Sequence, residues 1–229
     1  MKLYGLQKLT LLDYPGKTAC TVFLGGCNMR CPFCHNMELA EGKMEPQLSE
    51  EDFFAFLEKR AGLLDGVAIT GGEPTLSPDL PEFMKRIRDM GFLVKLDTNG
   101  LRPAVLEDIL DRGLADYVAM DVKNSLEKYG QTVGIPTIDT TAITRSIAII
   151  QEKAPDYEFR TTVVAQFHTS EDMERIGVML RGAKRYFLQN FEMSEMVPCR
   201  VLSPVSKEEL QRFAEVLTGS VEEVGIRGL

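Results

Sequence analysis

Three cysteines, Cys27, Cys31 and Cys34, fall within eight positions in the run Gly25-Gly-Cys-Asn-Met-Arg-Cys-Pro-Phe-Cys-His-Asn36. Thiolates bind soft and borderline metals, and a short loop can wrap three of them around the corners of an iron–sulfur cubane. Such clusters usually take four cysteines. Three leave one iron without a protein ligand, and an open metal position is where a substrate or cofactor binds. Gly25 and Gly26 would let backbone approach the cluster, and loop N–H groups would soften the charge on its sulfurs. Two other readings compete. Buried core cysteines would have to crowd into a glycine-rich loop. Structural zinc would need a fourth ligand, and His35 adjoins Cys34 too closely while Cys199 and His168 are distant in sequence.

Other chemistry-bearing residues recur at the ends of apolar runs. Thr70-Gly-Gly-Glu-Pro74 combines two glycines, which permit close backbone approach, with the carboxylate of Glu73. A tight turn into a helix is the bland alternative. Lys95-Leu-Asp-Thr-Asn-Gly100 and Met120-Asp-Val-Lys123 end two further runs in charge. Asp97 or Asp121 alone could cap the next helix, but two such ends on neighbouring strands suggest a polar pocket. Arg160 lies inside an apolar run, where a charge is seldom buried without a partner. Glu73 or a bound carboxylate would serve, as would a salt bridge to a helix. Lys123 is either a surface residue or a contact for a bound acid.

The elements that would position these residues alternate along the chain. Strands are expected over 19–24, 66–70, 92–97, 117–121, 158–164 and 185–189, with helices over 50–61, 80–90, 103–112, 140–152 and 170–180. A last helix over 207–217 precedes a tail strand over 221–226. Ser49 ahead of three acids reads as an N-cap, Gly91 after a basic turn as a stop, and Pro103 as a first helical residue. Repeated strand–helix units imply parallel strands with right-handed crossovers. Six units are too few for a closed eight-unit barrel, but enough for a partial (βα)6 TIM-like barrel or an open sheet. The active site of such folds gathers at the C-terminal strand ends. No linker divides residues 1–229, so one domain is expected, with its core over about 18–190 and an extension over 191–229. Residues 191–206, with Pro198 and Pro204, read as an irregular flap or partner-binding stretch.

Bulk properties set outer limits. Apolar residues make up 44% of the 229 and charged residues 26%, an ordinary globular balance. A net charge of −8 argues against non-specific nucleic-acid binding. Met1-Lys-Leu-Tyr-Gly5 lacks the pattern of a signal peptide, and no stretch nears the ~18 apolar residues of a membrane span. A cytoplasmic protein without membrane contact is expected. Five cysteines, three of them clustered, suit a metal site in a reducing compartment. Cys20 reads as a small buried hydrophobe, and Cys199 as an isolated thiol.

Cys-x3-Cys-x2-Cys after a first strand, with an aromatic before the last cysteine, resembles the radical S-adenosylmethionine (radical SAM) superfamily. Cys34-His-Asn36 resembles its glycyl-radical-enzyme activating branch. Leu9-Thr-Leu-Leu-Asp-Tyr-Pro-Gly-Lys17 and Tyr186-Phe-Leu-Gln-Asn-Phe191 are most like the activating proteins of anaerobic ribonucleoside-triphosphate reductases. The resemblance implies a [4Fe–4S] cluster on Cys27, Cys31 and Cys34 that cleaves SAM reductively to a 5′-deoxyadenosyl radical. It implies SAM contacts from Phe33, His35, Asn36, Gly71, Gly72, Glu73, Asp97, Thr98, Asn99, Asp121, Lys123 and Arg160. Phe33 would lie against adenine or beneath the cluster, and Gln189 and Asn190 would face the substrate. A monovalent cation on Asp97, Thr98 and Asp121 is a further implication. Partners would be a glycyl radical enzyme, foremost an anaerobic ribonucleoside-triphosphate reductase, and a low-potential electron donor such as flavodoxin or ferredoxin. No residue need act as a general acid, base or covalent nucleophile, because the cofactors carry the reactivity. A radical SAM enzyme for a small molecule or peptide, or an iron–sulfur electron carrier, remains the alternative.

Overall fold

Short runs of β-branched and aromatic residues form strands, and the amphipathic runs between them form helices that cover the sheet. A computed structural model describes residues 1–228. The strands are β1 (Leu3–Thr10), β2 (Ala19–Leu24), β3 (Gly66–Gly71), β4 (Leu93–Thr98), β5 (Tyr117–Asp121), β6 (Tyr157–Val163), β7 (Arg185–Asn190) and β8 (Glu223–Arg227). The helices are α1 (Met37–Ala40), α2 (Glu50–Glu58), α3 (Leu80–Asp89), α4 (Pro103–Asp111), α5 (Leu126–Thr132), α6 (Thr140–Lys153), α7 (Ser170–Met179) and α8 (Lys207–Leu217).

All eight strands join one sheet in chain order. β2 to β8 run parallel, and β1 pairs antiparallel with β2. Among the described residues β1 and β8 do not pair, so the barrel is partial. Alternation along each strand separates two faces. The outer face carries Val67, Ile69, Val94, Leu96, Val118 and Met120 into the apolar layer beneath the helices. The inner face carries Lys95, Asp97, Asp121, Glu158 and Arg160. At the N-terminal ends of the strands, Tyr14, Ala19, Tyr117 and Ala119 form a separate small buried cluster.

Local signals hold where the sequence placed them. Ser49 Oγ accepts the Asp52 N–H at 3.1 Å, and Pro103 opens α4. Gly91 follows α3 at φ +89°. Thr169 and Asp172 form a reciprocal cap on α7. Three elements were not expected. β1 contains Gly5 and exposes three consecutive residues, Gln7 to Leu9, so its alternation is weak. α1 is four residues long, and α5 carries Gly130, a poor helix former, in its middle. The helix expected over 50–61 stops at Glu58, and the tail strand lies at 223–227. Residues 191–206 are irregular, as expected, yet tied down. Asn190 bonds Val205 twice, at 3.0 and 3.2 Å, and Arg200 donates to the Ser194 and Glu195 carbonyls. No helix among the described residues is long and apolar enough to cross a membrane.

Candidate active site

A cavity of about 240 Å³ opens at the C-terminal ends of the parallel strands. Apart from Glu73, every residue singled out above as a cluster ligand or SAM contact lines it, joined by Met29, Ala40, Thr70 and Thr162. The cysteine loop leaves β2 and is pinned at its start: Gly26 N–H bonds the Leu39 carbonyl at 2.9 Å and Cys27 N–H the Ala40 carbonyl at 3.0 Å. Short α1 therefore anchors the loop. Gly72 presses against the same loop. A Cβ there would lie 2.0 Å from the Gly26 carbonyl oxygen, so only glycine permits the approach. The next N–H, of Glu73, bonds that oxygen at 2.8 Å.

Burial governs the thiols. It pushes Cys31 up to about 12 against the pull of Lys123, and it raises Cys27 against the Met29 N–H, which reaches Cys27 Sγ at 3.4 Å. Thiols of this kind ionise when a metal draws off the proton. Asn99 Nδ2 also points at Cys27 Sγ, at 3.8 Å, while bonding Asn28 Oδ1 at 2.8 Å. The loop after β4 is thus fastened to the cysteine loop. Among the described residues no His, Cys, Asp and Glu side chains group to hold one metal ion. All three thiols line the one cavity.

Glu73 departs from expectation. It is buried behind the wall, where Oε1 accepts from Thr75 N–H (3.1 Å), Thr75 Oγ1 (2.5 Å) and Thr98 Oγ1 (2.9 Å), and Oε2 accepts the Asn99 N–H (2.6 Å). Burial raises its pKa despite these donors. Its side chain organises the turn after β3 and the end of β4, leaving the backbone of Gly71 and Gly72 to face the cavity. Arg160 does not meet Glu73. It spans Asp97 (Nη2 to Oδ2, 3.2 Å) and Asp121 (Nε to Oδ1, 3.0 Å), with Glu158 at 4.0 Å. The Asp121 and Arg160 strands are in register, which sets the pair side by side. Burial would raise the pKa of both aspartates, but Arg160, helped by Lys123 at Asp121 and Lys95 at Asp97, outweighs it and holds both carboxyls below the usual range. Neither aspartate caps a helix, so the polar-pocket reading holds.

Phe33 is buried, 6.0 Å from the Phe167 ring centroid and beneath Lys123 Nζ. His35 and Asn36 are exposed at the mouth, where His35 packs on Phe191 at 5.9 Å and meets Ser194 Oγ at 3.4 Å. Cys199 N–H bonds the Pro32 carbonyl at 3.2 Å, so the irregular segment rests on the cysteine loop. Gly25 has a structural role not foreseen: a Cβ would strike the Tyr4 ring of β1 at 2.5 Å. Asn28 and Lys95 were missed. Lys95 precedes Asp97 by two residues, and strand alternation alone puts it on the same face.

The profile of the radical SAM superfamily matches residues 21–179. The chain belongs to the radical SAM superfamily. Membership implies a [4Fe–4S] cluster and S-adenosylmethionine, and this cavity fits both: three thiols around one wall, donors aimed at a sulfur, and two cations facing the space. A Methanocaldococcus jannaschii protein provisionally named a glycyl-radical enzyme activating enzyme is 33% identical over 231 residues, spanning 97% of this chain and 94% of its own. The pyruvate formate-lyase-activating enzyme of Clostridium pasteurianum is 30% identical over 131 residues, 54% of this chain and 52% of its own. Streptococcus suis SuiB bound to S-adenosylmethionine shares the radical SAM fold, with a TM-score of 0.70 at 14% identity over 89% of this chain and 48% of that one.

Proposed function

We propose that this radical SAM enzyme is a glycyl-radical-enzyme activase whose substrate is a glycine of an anaerobic ribonucleoside-triphosphate reductase. The observation that carries the activase reading is the end-to-end likeness to the M. jannaschii protein provisionally named an activating enzyme, which leaves little of either chain unmatched. The nine residues from Leu9 to Lys17 and the run from Tyr186 to Phe191 add the resemblance to reductase activators. The mouth suits a protein substrate, since exposed Met193 and Met196 flank the Ser194 that touches His35.

In this reading Cys27, Cys31 and Cys34 would hold the cluster, and SAM would bind beside it in the same cavity. Met29 N–H and Asn99 soften the charge on the Cys27 sulfur, which favours the reduced state. Arg160 and Lys123 attract the SAM carboxylate, the backbone of Gly71 and Gly72 receives its amino group, and Phe33 supplies an apolar surface for adenine. Asn36 and His35 stand at the entrance, where the target glycine would come. When bound, cluster and SAM supply a one-electron cleavage to methionine and a 5′-deoxyadenosyl radical, which takes a hydrogen atom from the glycine Cα. The electron comes from a low-potential donor such as flavodoxin or ferredoxin. The whole chain acts as one domain in the cytoplasm, with residues 191–229 extending the core.

Electron paramagnetic resonance tests this directly. Anaerobically reconstituted protein, reduced and mixed with SAM and the reductase, should give a glycyl doublet that needs every component. A reduced-cluster signal that shifts with SAM, without a doublet, would refute this partner.

A further inference from the structure

The three residues expected to ligate a monovalent cation are already engaged. Asp97 Oδ1 contacts Lys95 Nζ, and Asp97 Oδ2 accepts from Arg160 Nη2 at 3.2 Å. Asp121 Oδ1 accepts from Arg160 Nε at 3.0 Å, and Asp121 Oδ2 from Lys123 Nζ at 3.0 Å. Each of the four carboxylate oxygens therefore carries a cationic partner. Thr98 Oγ1 donates to Glu73 at 2.9 Å and accepts the Gly100 N–H at 3.1 Å. Counting only groups in ion-pair contact, three positive side chains face two carboxylates. Glu158 and Arg227, paired at 2.8 Å beneath them, leave that excess unchanged. At these separations a further cation is repelled and an anion attracted.

The three cations differ in position. Arg160 and Lys123 line the cavity, and both keep N–H groups beyond those used on the aspartates. They can turn toward an acid bound there. Lys95 is 1% exposed and does not reach the cavity wall. Its side chain lies inside the barrel on the same strand face as Asp97, so it stays with Asp97 whatever Arg160 does.

We propose that Lys95 is a built-in counter-ion that stands in for an alkali cation, so that this enzyme binds SAM without any free monovalent cation. Lys95 is a positioning residue, acting through Asp97 on Arg160. This inference is independent of which glycine is the target.

The test uses the cluster-reconstituted chain in sodium, potassium and tetramethylammonium chloride at equal ionic strength, reading SAM affinity and the sodium NMR linewidth. Wild type should bind SAM equally in all three salts and show no saturable sodium site. In Lys95→Met, SAM affinity should fall roughly tenfold in tetramethylammonium, equivalent to about 1.4 kcal/mol, and recover when potassium or sodium is added. A purely structural lysine would not give rescue by an alkali ion. Wild-type affinity that strengthens with sodium or potassium overturns the proposal, and so does a folded Lys95→Met that ignores them. If that variant does not fold, the wild-type salt comparison decides. The sodium signal needs no bound SAM, so a chain that fails to bind SAM would refute the site assignment and still report on the cation.

Discussion

Replacing Gly72 by alanine tests the idea that two strand-end loops are locked together to build one site. The added Cβ would meet the Gly26 carbonyl oxygen at 2.0 Å and its carbon at 2.7 Å, where real contacts stay above 3.0 Å. One backbone must move by about an ångström, yet both are tethered. Gly26 N–H is held by Leu39 at 2.9 Å, and Gly72 N–H by Leu24 at 2.8 Å. Relief stretches the 2.8 Å bond from Glu73 N–H to Gly26 beyond hydrogen-bonding range. A buried N–H left unpaired costs about 1–3 kcal/mol, and overpacking strain adds about 1–3 kcal/mol. For a chain of this size each kcal/mol lowers Tm by roughly 2–4 °C, giving a fall of about 4–24 °C. Gly113, at φ +63° with open space around it, supplies the control. Its alanine variant should lose only roughly 1–2 kcal/mol of stability, from the left-handed backbone strain it gains. Thermal unfolding and iron content per chain would be measured on both reconstituted variants. A Gly72→Ala protein as stable as Gly113→Ala, with full iron loading, would refute the reasoning.

Alanine at any one of Cys27, Cys31 or Cys34 should abolish formation of 5′-deoxyadenosine, read by chromatography, and full activity in any of them sinks the cluster assignment. Cys20→Ala, a fully buried thiol on β2 outside the cavity, should keep that activity and cost about 1 kcal/mol of stability. His168 supplies a pH prediction. Burial depresses its pKa, with Nδ1 accepting the Val164 N–H at 3.0 Å and Nε2 donating to the Lys123 carbonyl at 2.9 Å. Below about pH 6.5 the unfolded chain takes a proton that the buried ring refuses. Stability should therefore be flat above neutrality and fall as pH drops through that value, by at most ~1.4 kcal/mol per unit from this group. A melting series in which His168→Gln keeps the wild-type slope would overturn that account.

The cluster loop and most of the cavity wall were legible because their signals are local. Cysteine spacing, paired glycines and charged strand ends lie within a few residues of each other. What the sequence hid depends on neighbours across the sheet. Arg160 lies beside Asp121 only because β5 and β6 pair in that register, and no spacing within either strand reveals it. Glu73 reads as a cavity acid, yet Thr75, Thr98 and Asn99 turn it away from the space. β1 escaped because Gly5 fits beneath Phe23 and Gln7 to Leu9 are all exposed, leaving no clean alternation. The six central strands were plain because their buried positions carry β-branched, aromatic and other apolar residues in short runs.

The buried cluster of Tyr14, Tyr117, Ala19 and Ala119 has a bearing on traffic. It fills the sheet interior at the end opposite the cavity, so access from that end is blocked while the edges of β1 and β8 stay unpaired among the described residues. On the proposed function, cofactor and target glycine would both approach the cavity mouth, where His35 meets Ser194 of the segment after β7. A partner protein seated across it and a cofactor passing through it exclude each other. On that reading the enzyme would work one encounter at a time: load, dock, react, undock and empty.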